Sequence, residues 1–132
     1  MDVKSNTNER GAAAVELALI LPLLLLILFG IMEFGRAYNV QVSLTQAARE
    51  GARYAAVHYQ EGGLNVSGAA LSSAPALDGL GVSVTDNASS CAPGSNVKVT
   101  TSVSLPSMTG FLDGTGIFPL NLSGVGVMRC GG

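Results

Sequence analysis

Charge is what this sequence has least of. Asp, Glu, Lys and Arg make up 12% of the 132 residues, about half the usual share of a soluble domain. The net charge is −2 and the Lys and Arg residues are scattered, so there is no basic stripe of the kind a nucleic-acid surface needs. Catalytic groups are equally sparse. His58 is the single histidine, no Ser–His–acid set is spaced as a constellation, and no phosphate-binding glycine motif follows a strand. The two cysteines, Cys91 and Cys130, lack metal-ligand spacing. These absences point away from an enzyme, from a nucleic-acid partner and from a small-molecule substrate, and they call for no cofactor. His58 reads as a surface residue of a helix.

Apolar residues are abundant, at 48%, and concentrated. Residues 17–32 carry no charge and are dominated by Leu and Ile. Counted from Ala12, the stretch 12–32 is about 21 residues, or roughly 31 Å as a helix, enough to cross a hydrocarbon core. Two residues inside it need a reason. Pro22 has no backbone N–H and crowds the carbonyl of Ala18, so a kink or local melt is expected there. Glu16 lies one turn into the stretch, where a carboxylate costs a few kcal/mol unless it is shallow, protonated or paired.

Beyond residue 32 the helical pattern runs on to about Tyr59, with no proline to stop it, and Gly62-Gly63 closes it. Glu33 and Arg36, three residues apart, are placed to pair on the helix surface. Ala47, Ala48, Gly51, Ala52, Ala55 and Ala56 form a smooth stripe of small residues. Such a stripe serves helix–helix assembly or packing against the chain's own sheet; past the bilayer, the sheet is the expected partner.

The remainder is rich in Gly, Ser, Thr and Val. Residues 67–77 suggest a short helix stopped at Pro75. Residues 82–85 and 97–105 alternate as strands. A third strand over 120–128 changes parity, with Leu120 and Leu122 even but Val125 and Val127 odd, so a bulge near Ser123-Gly124 is expected. The connection 106–119 carries Met108, Phe111, Leu112, Ile117 and Phe118 and reads as a packed lid, with a docking surface as the alternative. The fold class is therefore α+β: a long N-terminal transmembrane helix continuing into a small head with about three antiparallel strands. In a meander of these strands Cys130 comes near Cys91, and in an exported head the pair is expected as a disulfide rather than two free thiols. Lys4 and Arg10 precede the span while Arg36, Arg49 and Arg53 follow it, so the positive-inside count does not decide orientation; the cysteines favour an exported head.

The segment Arg10-Gly11-Ala12-Ala13-Ala14-Val15-Glu16-Leu17, leading into the apolar run, resembles a type IV prepilin leader junction. Further pieces, Leu21-Pro22-Leu23-Leu24, Phe34-Gly35-Arg36 and Gln46-Ala47-Ala48-Arg49-Glu50-Gly51-Ala52-Arg53-Tyr54-Ala55-Ala56, resemble the TadE-like pseudopilin family of the tight-adherence (Tad, or Flp) pilus. Val125-Gly126-Val127-Met128-Arg129 is similar to that family's last strand. The resemblance is strong over residues 11–56. It implies a cytoplasmic leader over 1–11, cleavage by prepilin peptidase between Gly11 and Ala12, a membrane helix over 12–32, an extended helix over 33–60 and an exported head over 61–132. It also implies an inner-membrane location, with membrane lipid, other pilin-type subunits and the pilus assembly machinery as partners.

The cut would create an amine on Ala12, a cation near neutral pH. That amine can meet the Glu16 carboxylate of a neighbouring subunit and offset the cost of burying either alone; the plainer alternative leaves Glu16 solvated at headgroup depth. Two other fates compete with a filament subunit: a permanent single-pass anchor presenting a small binding head, and a secreted protein cut at Gly35-Arg36-Ala37 by signal peptidase.

Overall fold

The computed structural model of the chain describes residues 6–131, with side chains from Glu9 onward. Residues 1–5 of the expected leader, Lys4 among them, lie outside the described residues. The architecture is α+β: a long apolar N-terminal helix followed by a small head with a three-stranded antiparallel sheet. The chain divides after Gly35 into two units.

The first unit is the apolar part of helix α1, which as a whole runs Asn6–Val57. Leu and Ile favour a helix without needing tertiary support, and here their side chains stand exposed, Leu19 at 73% and Ile31 at 66%. Each would gain roughly 1.5–3 kcal/mol on full burial, so this surface is not one for water. Pro22 lies inside α1, which continues on both sides of it.

The second unit begins at Arg36 and contains the rest of α1. The helix ends at Val57 rather than near Tyr59, and Gly62 and Gly63 fall in the turn beyond it. Helix α2 spans Val66–Ser72 and starts where Asn65 Oδ1 accepts the Gly68 N–H at 2.9 Å, a capping bond that satisfies an otherwise orphaned donor. It stops before the expected Pro75, because Ala74, preceding a proline, is pushed out of the helical region; Pro75–Leu77 then form a 3-10 turn.

Strands β1 (Ser83–Asp86), β2 (Asn96–Leu105) and β3 (Leu120–Arg129) form the sheet in the order β1-β2-β3. The β2–β3 ladder is unbroken from Asn96↔Arg129 to Leu105↔Leu120, and the expected bulge at Ser123-Gly124 is therefore absent. The parity change has another cause. Leu120, Leu122, Gly124 and Gly126 all face inward, while Val125 and Val127 face out, 45% and 53% exposed. Glycine fills the inner positions because helix α1 lies against them. A Cβ on Gly124 would run into the backbone of Leu44 and Thr45, and one on Gly126 into that of Ala48 and Arg49.

The small-residue stripe completes this contact from the helix side. Ala47, Ala48, Ala52 and Ala55 are fully buried, and Gly51 faces Ala70 and Val99. The stripe thus packs within the head, as expected. Leu44, Ala47, Val103 and Leu105 share one core cluster with Ala70 and Leu77, and Ala52, Ala55, Val97 and Val99 share a second with Val66 and Cys130. Between them sits Thr101, buried, its hydroxyl donating to Leu44 O at 2.8 Å and lying 3.4 Å from Gly124 O. A hydroxyl is tolerated here because it is hydrogen-bonded.

Cys91 and Cys130 form a disulfide, Cα–Cα 5.8 Å. Pairing of Asn96 with Arg129 brings the start of β2 and the end of β3 together, and Cys130 N–H donates to Ser95 O at 2.9 Å. The connection 106–119 departs from expectation: Phe118 is buried, but Met108, Phe111 and Ile117 are exposed. It is not a lid over the core. The sheet face is already covered by α1, so these side chains have no core left to close.

Candidate functional site

The residues singled out in the sequence lie at the N-terminal end of α1. Gly11, Ala12 and Glu16 are all helical and exposed, and Ala12 and Glu16, four apart, share one face a turn from each other. Helix α1 begins at Asn6, inside the expected leader. A Cβ at Gly11 would meet nothing within 4 Å, and glycine inside a helix costs about 0.5–1 kcal/mol relative to alanine, so packing within the chain does not call for it. Gly30 and Gly35 are equally open; what distinguishes Gly11 is its place, immediately before the apolar run and five residues ahead of Glu16.

Glu33 contrasts with Glu16. It is 1% exposed, so the surface position expected for it is overturned. Arg36 is held by the head: its Nη1 donates to Pro106 O at 3.1 Å. Gln41 Nε2 donates to Ser123 O at 2.7 Å, and Ala37, Val40 and Leu44 enter the core directly after. Sequence reasoning missed the burial of Glu33 and Thr101. For Thr101 a signal existed, since it occupies an inward position in the alternation Val97, Val99, Thr101, Val103.

The head's concavities are shallow. One is lined by Tyr59, Glu61, Val66, Asp86 and Ser89, another by Arg53, Ala56, Val57 and Met128. His58 is committed locally, Nδ1 lying 2.9 Å from Tyr54 O and its ring 4.5 Å from that of Tyr54. Among the described residues no group of three His, Cys, Asp or Glu is placed to hold a metal ion. The arrangement offers a long apolar surface with one acidic group near its start, and a cross-linked head. Among the described residues, α1 is the one helix long and apolar enough to cross a membrane.

The chain was compared with known proteins. The family model described as TadE-like protein matches residues 11–53, which takes in Gly11, Glu16, Pro22 and most of the small-residue stripe. Neither the comparison with curated proteins nor that with solved structures returned a match. Over residues 11–53 the chain is similar to TadE-like proteins, and its single long apolar helix is compatible with a single-pass membrane protein. The head beyond residue 53 rests on its own geometry, and the TadE-like resemblance is shown for residues 11–53.

Proposed function

We propose that this chain is a minor pilin-like structural subunit that acts in assembly of a Tad-type pilus after prepilin peptidase cuts between Gly11 and Ala12. The observation that carries the reading is the exposed apolar surface of α1 with Glu16 exposed one turn into it, within a segment that matches the TadE-like family. In this reading residues 12–32 span the inner membrane, the N-terminus is cytoplasmic and the head is exported, where a disulfide persists. The stripe of small residues, being used within the head, is not available for subunit contacts, so assembly falls to the apolar run. Pro22 supplies a point of weakness in it, since the Ala18 carbonyl lacks its helical donor.

The mature N-terminus tests the reading. Mass spectrometry of membrane-extracted protein should find Ala12 first. Gly11→Val should leave a full-length membrane form, because a β-branched side chain obstructs a peptidase that must close around extended backbone; normal maturation of that variant would show the cut lies elsewhere. The second reading, a permanent anchor retaining Met1, draws on the uninterrupted course of α1 through Gly11. A cut after Ala37 has less support: Ala37 belongs to the core and Arg36 is tied to Pro106 O.

Glu16→Gln addresses the role of the carboxylate. Membrane insertion should be unchanged or easier, as a neutral amide costs less in lipid than a carboxylate. Crosslinking to partner pilin-type subunits should fall, because the Ala12 amine would lose its counter-charge, a penalty of a few kcal/mol. Normal crosslinking and normal piliation in Glu16→Gln would leave Glu16 a solvated interface residue and move the balance toward the anchor.

A further inference from the structure

The sheet has two edges, and they are finished differently. β1 is four residues long. β3 runs for ten, carries no proline and pairs without a bulge, the kind of edge that invites another strand. Its unpaired side can be read from the hydrogen bonds. Cys130 N–H donates to Ser95 O at 2.9 Å, so Cys130 turns its main-chain groups toward β2. In an antiparallel ladder that orientation alternates, which directs the N–H and C=O groups of Ser123, Val125, Val127 and Arg129 outward. Helix α1 closes this edge at both ends: Gln41 Nε2 donates to Ser123 O at 2.7 Å, and Gly131 N–H donates to Ala56 O at 3.3 Å. Between those points the outward groups of Val125, Val127 and Arg129 bond to nothing among the described residues.

The side chains around this open stretch say what it fits. The row of α1 that runs from Gln41 toward Ala56 includes Thr45, Arg49 and Arg53 at four-residue spacing, and its backbone at Thr45 and Arg49 lies against Gly124 and Gly126. Arg49 and Arg53 are exposed and so flank the open edge on the helix side. A shallow groove lined by Arg53, Ala56, Val57, Met128 and Arg129 continues it. Among the described residues the acid bonded to these arginines is Glu50, 3.4 Å from Arg53 on the surface, a contact weak enough to be exchanged. On the opposite face Val125 and Val127 stand exposed. An added strand therefore meets arginine on one face and valine on the other. Arg49 and Arg53 are about 6 Å apart along the helix, close to the roughly 6.8 Å between residues i and i+2 of a strand, so acids at alternate positions reach both. A second copy is a poor occupant, because edge-to-edge pairing would set Arg49, Arg53 and Arg129 of two chains against each other.

We propose that the outer edge of β3, over residues 125–129, docks an extended segment of another protein in which acidic residues alternate with β-branched apolar ones. The segment adds a fourth strand to the sheet. Its backbone takes the open groups of Val125, Val127 and Arg129, its acids lie beside Arg49 and Arg53, and its apolar residues pack on Val125 and Val127. The main chain supplies affinity, and the arginines select the partner. The site lies wholly within the second unit and does not rest on the reading of residues 12–32 as a membrane span.

Full-length protein in detergent micelles would be titrated with three short, end-blocked, dye-labelled peptides. One alternates glutamate and valine, the second has lysine in place of glutamate, and the third is the glutamate–valine peptide with every amide N-methylated. The first should bind and raise the protection of the Val125, Val127 and Arg129 amides from hydrogen exchange about tenfold or more. The lysine peptide, which meets like charge, and the N-methylated peptide, which has no donors for the edge, should each bind at least about tenfold more weakly. Arg49→Gln/Arg53→Gln alters only exposed side chains, so the head should fold normally while its affinity for the glutamate–valine peptide falls about tenfold. Equal binding of the N-methylated peptide would overturn strand addition and leave charge attraction alone. Equal binding of the lysine peptide, or undiminished binding to the double variant, would overturn the choice of an acidic partner. No binding, or binding that leaves the three amides unprotected, would remove the site altogether.

Discussion

Gly126→Val is expected to leave the head unfolded. At this position the inner face of β3 meets the backbone of α1, and an added Cβ would overlap the Ala48 carbonyl and the Arg49 nitrogen. Those atoms are main chain inside a helix and cannot rotate aside, unlike a side-chain neighbour. Relief requires α1 to lift from the sheet, which would open the contacts of Leu44, Ala47, Ala48 and Ala52, all fully buried. Overpacking with flexible neighbours costs about 1–3 kcal/mol; with rigid ones the loss should exceed that range, a large share of the 5–15 kcal/mol typical of a whole domain. Thermal melting of full-length protein in detergent, followed by the sheet signal in circular dichroism, provides the measurement. Gly126→Ala already carries the offending atom and should lower the midpoint by about 10 °C or more. Val127→Ala, one residue away on the outer face, should shift it only slightly. A Gly126→Ala protein as stable as the parent would show that helix and strand are farther apart than described.

Removing the cross-link should produce the second large loss. Cys91 and Cys130 are 39 residues apart in sequence, and on the chain-entropy model closing a loop of about 40 residues is worth roughly 4 kcal/mol. The bond also ties down the place where β2 begins and β3 ends, next to the Asn96↔Arg129 pair. Cys130 is buried beside Ala52, Ala55 and Val97, so alanine is the proper replacement; serine would add an unsatisfied hydroxyl. The double variant Cys91→Ala/Cys130→Ala should melt well below the parent, and reductant should bring the parent down to meet it while leaving the variant unmoved. A difference under about 1 kcal/mol would mean that the unfolded chain is already compact enough for the bond to constrain little.

Both predictions concern the head, where residue pattern and structure part company most. The alternation in β2 was legible because each inward residue is large and apolar or, at Thr101, can hide its hydroxyl on a helix carbonyl. The alternation in β3 was not. A pattern read from hydrophobicity takes Val125 and Val127 as inward, whereas the inward positions are Gly124 and Gly126. Glycine carries no hydrophobic signal, and its use here depends on a helix backbone arriving from about 80 residues earlier in the chain. The same helix explains why the connection 106–119 failed as a lid: the surface it was expected to cover is occupied by α1.

What the sequence by itself determined is local or near-local in origin. An uncharged Leu/Ile run specifies an apolar helix wherever it is placed, a carboxylate one turn inside it marks an unusual site, and period-two alternation sets out strands. The meander order and the Cys91–Cys130 bond followed because strands consecutive in sequence usually lie side by side. Only the tertiary structure decided which face of β3 turns inward and that Val125 and Val127 stay outside the core. Each of those depends on how closely two segments distant in sequence approach, and closeness is set by packing rather than by the character of either segment alone.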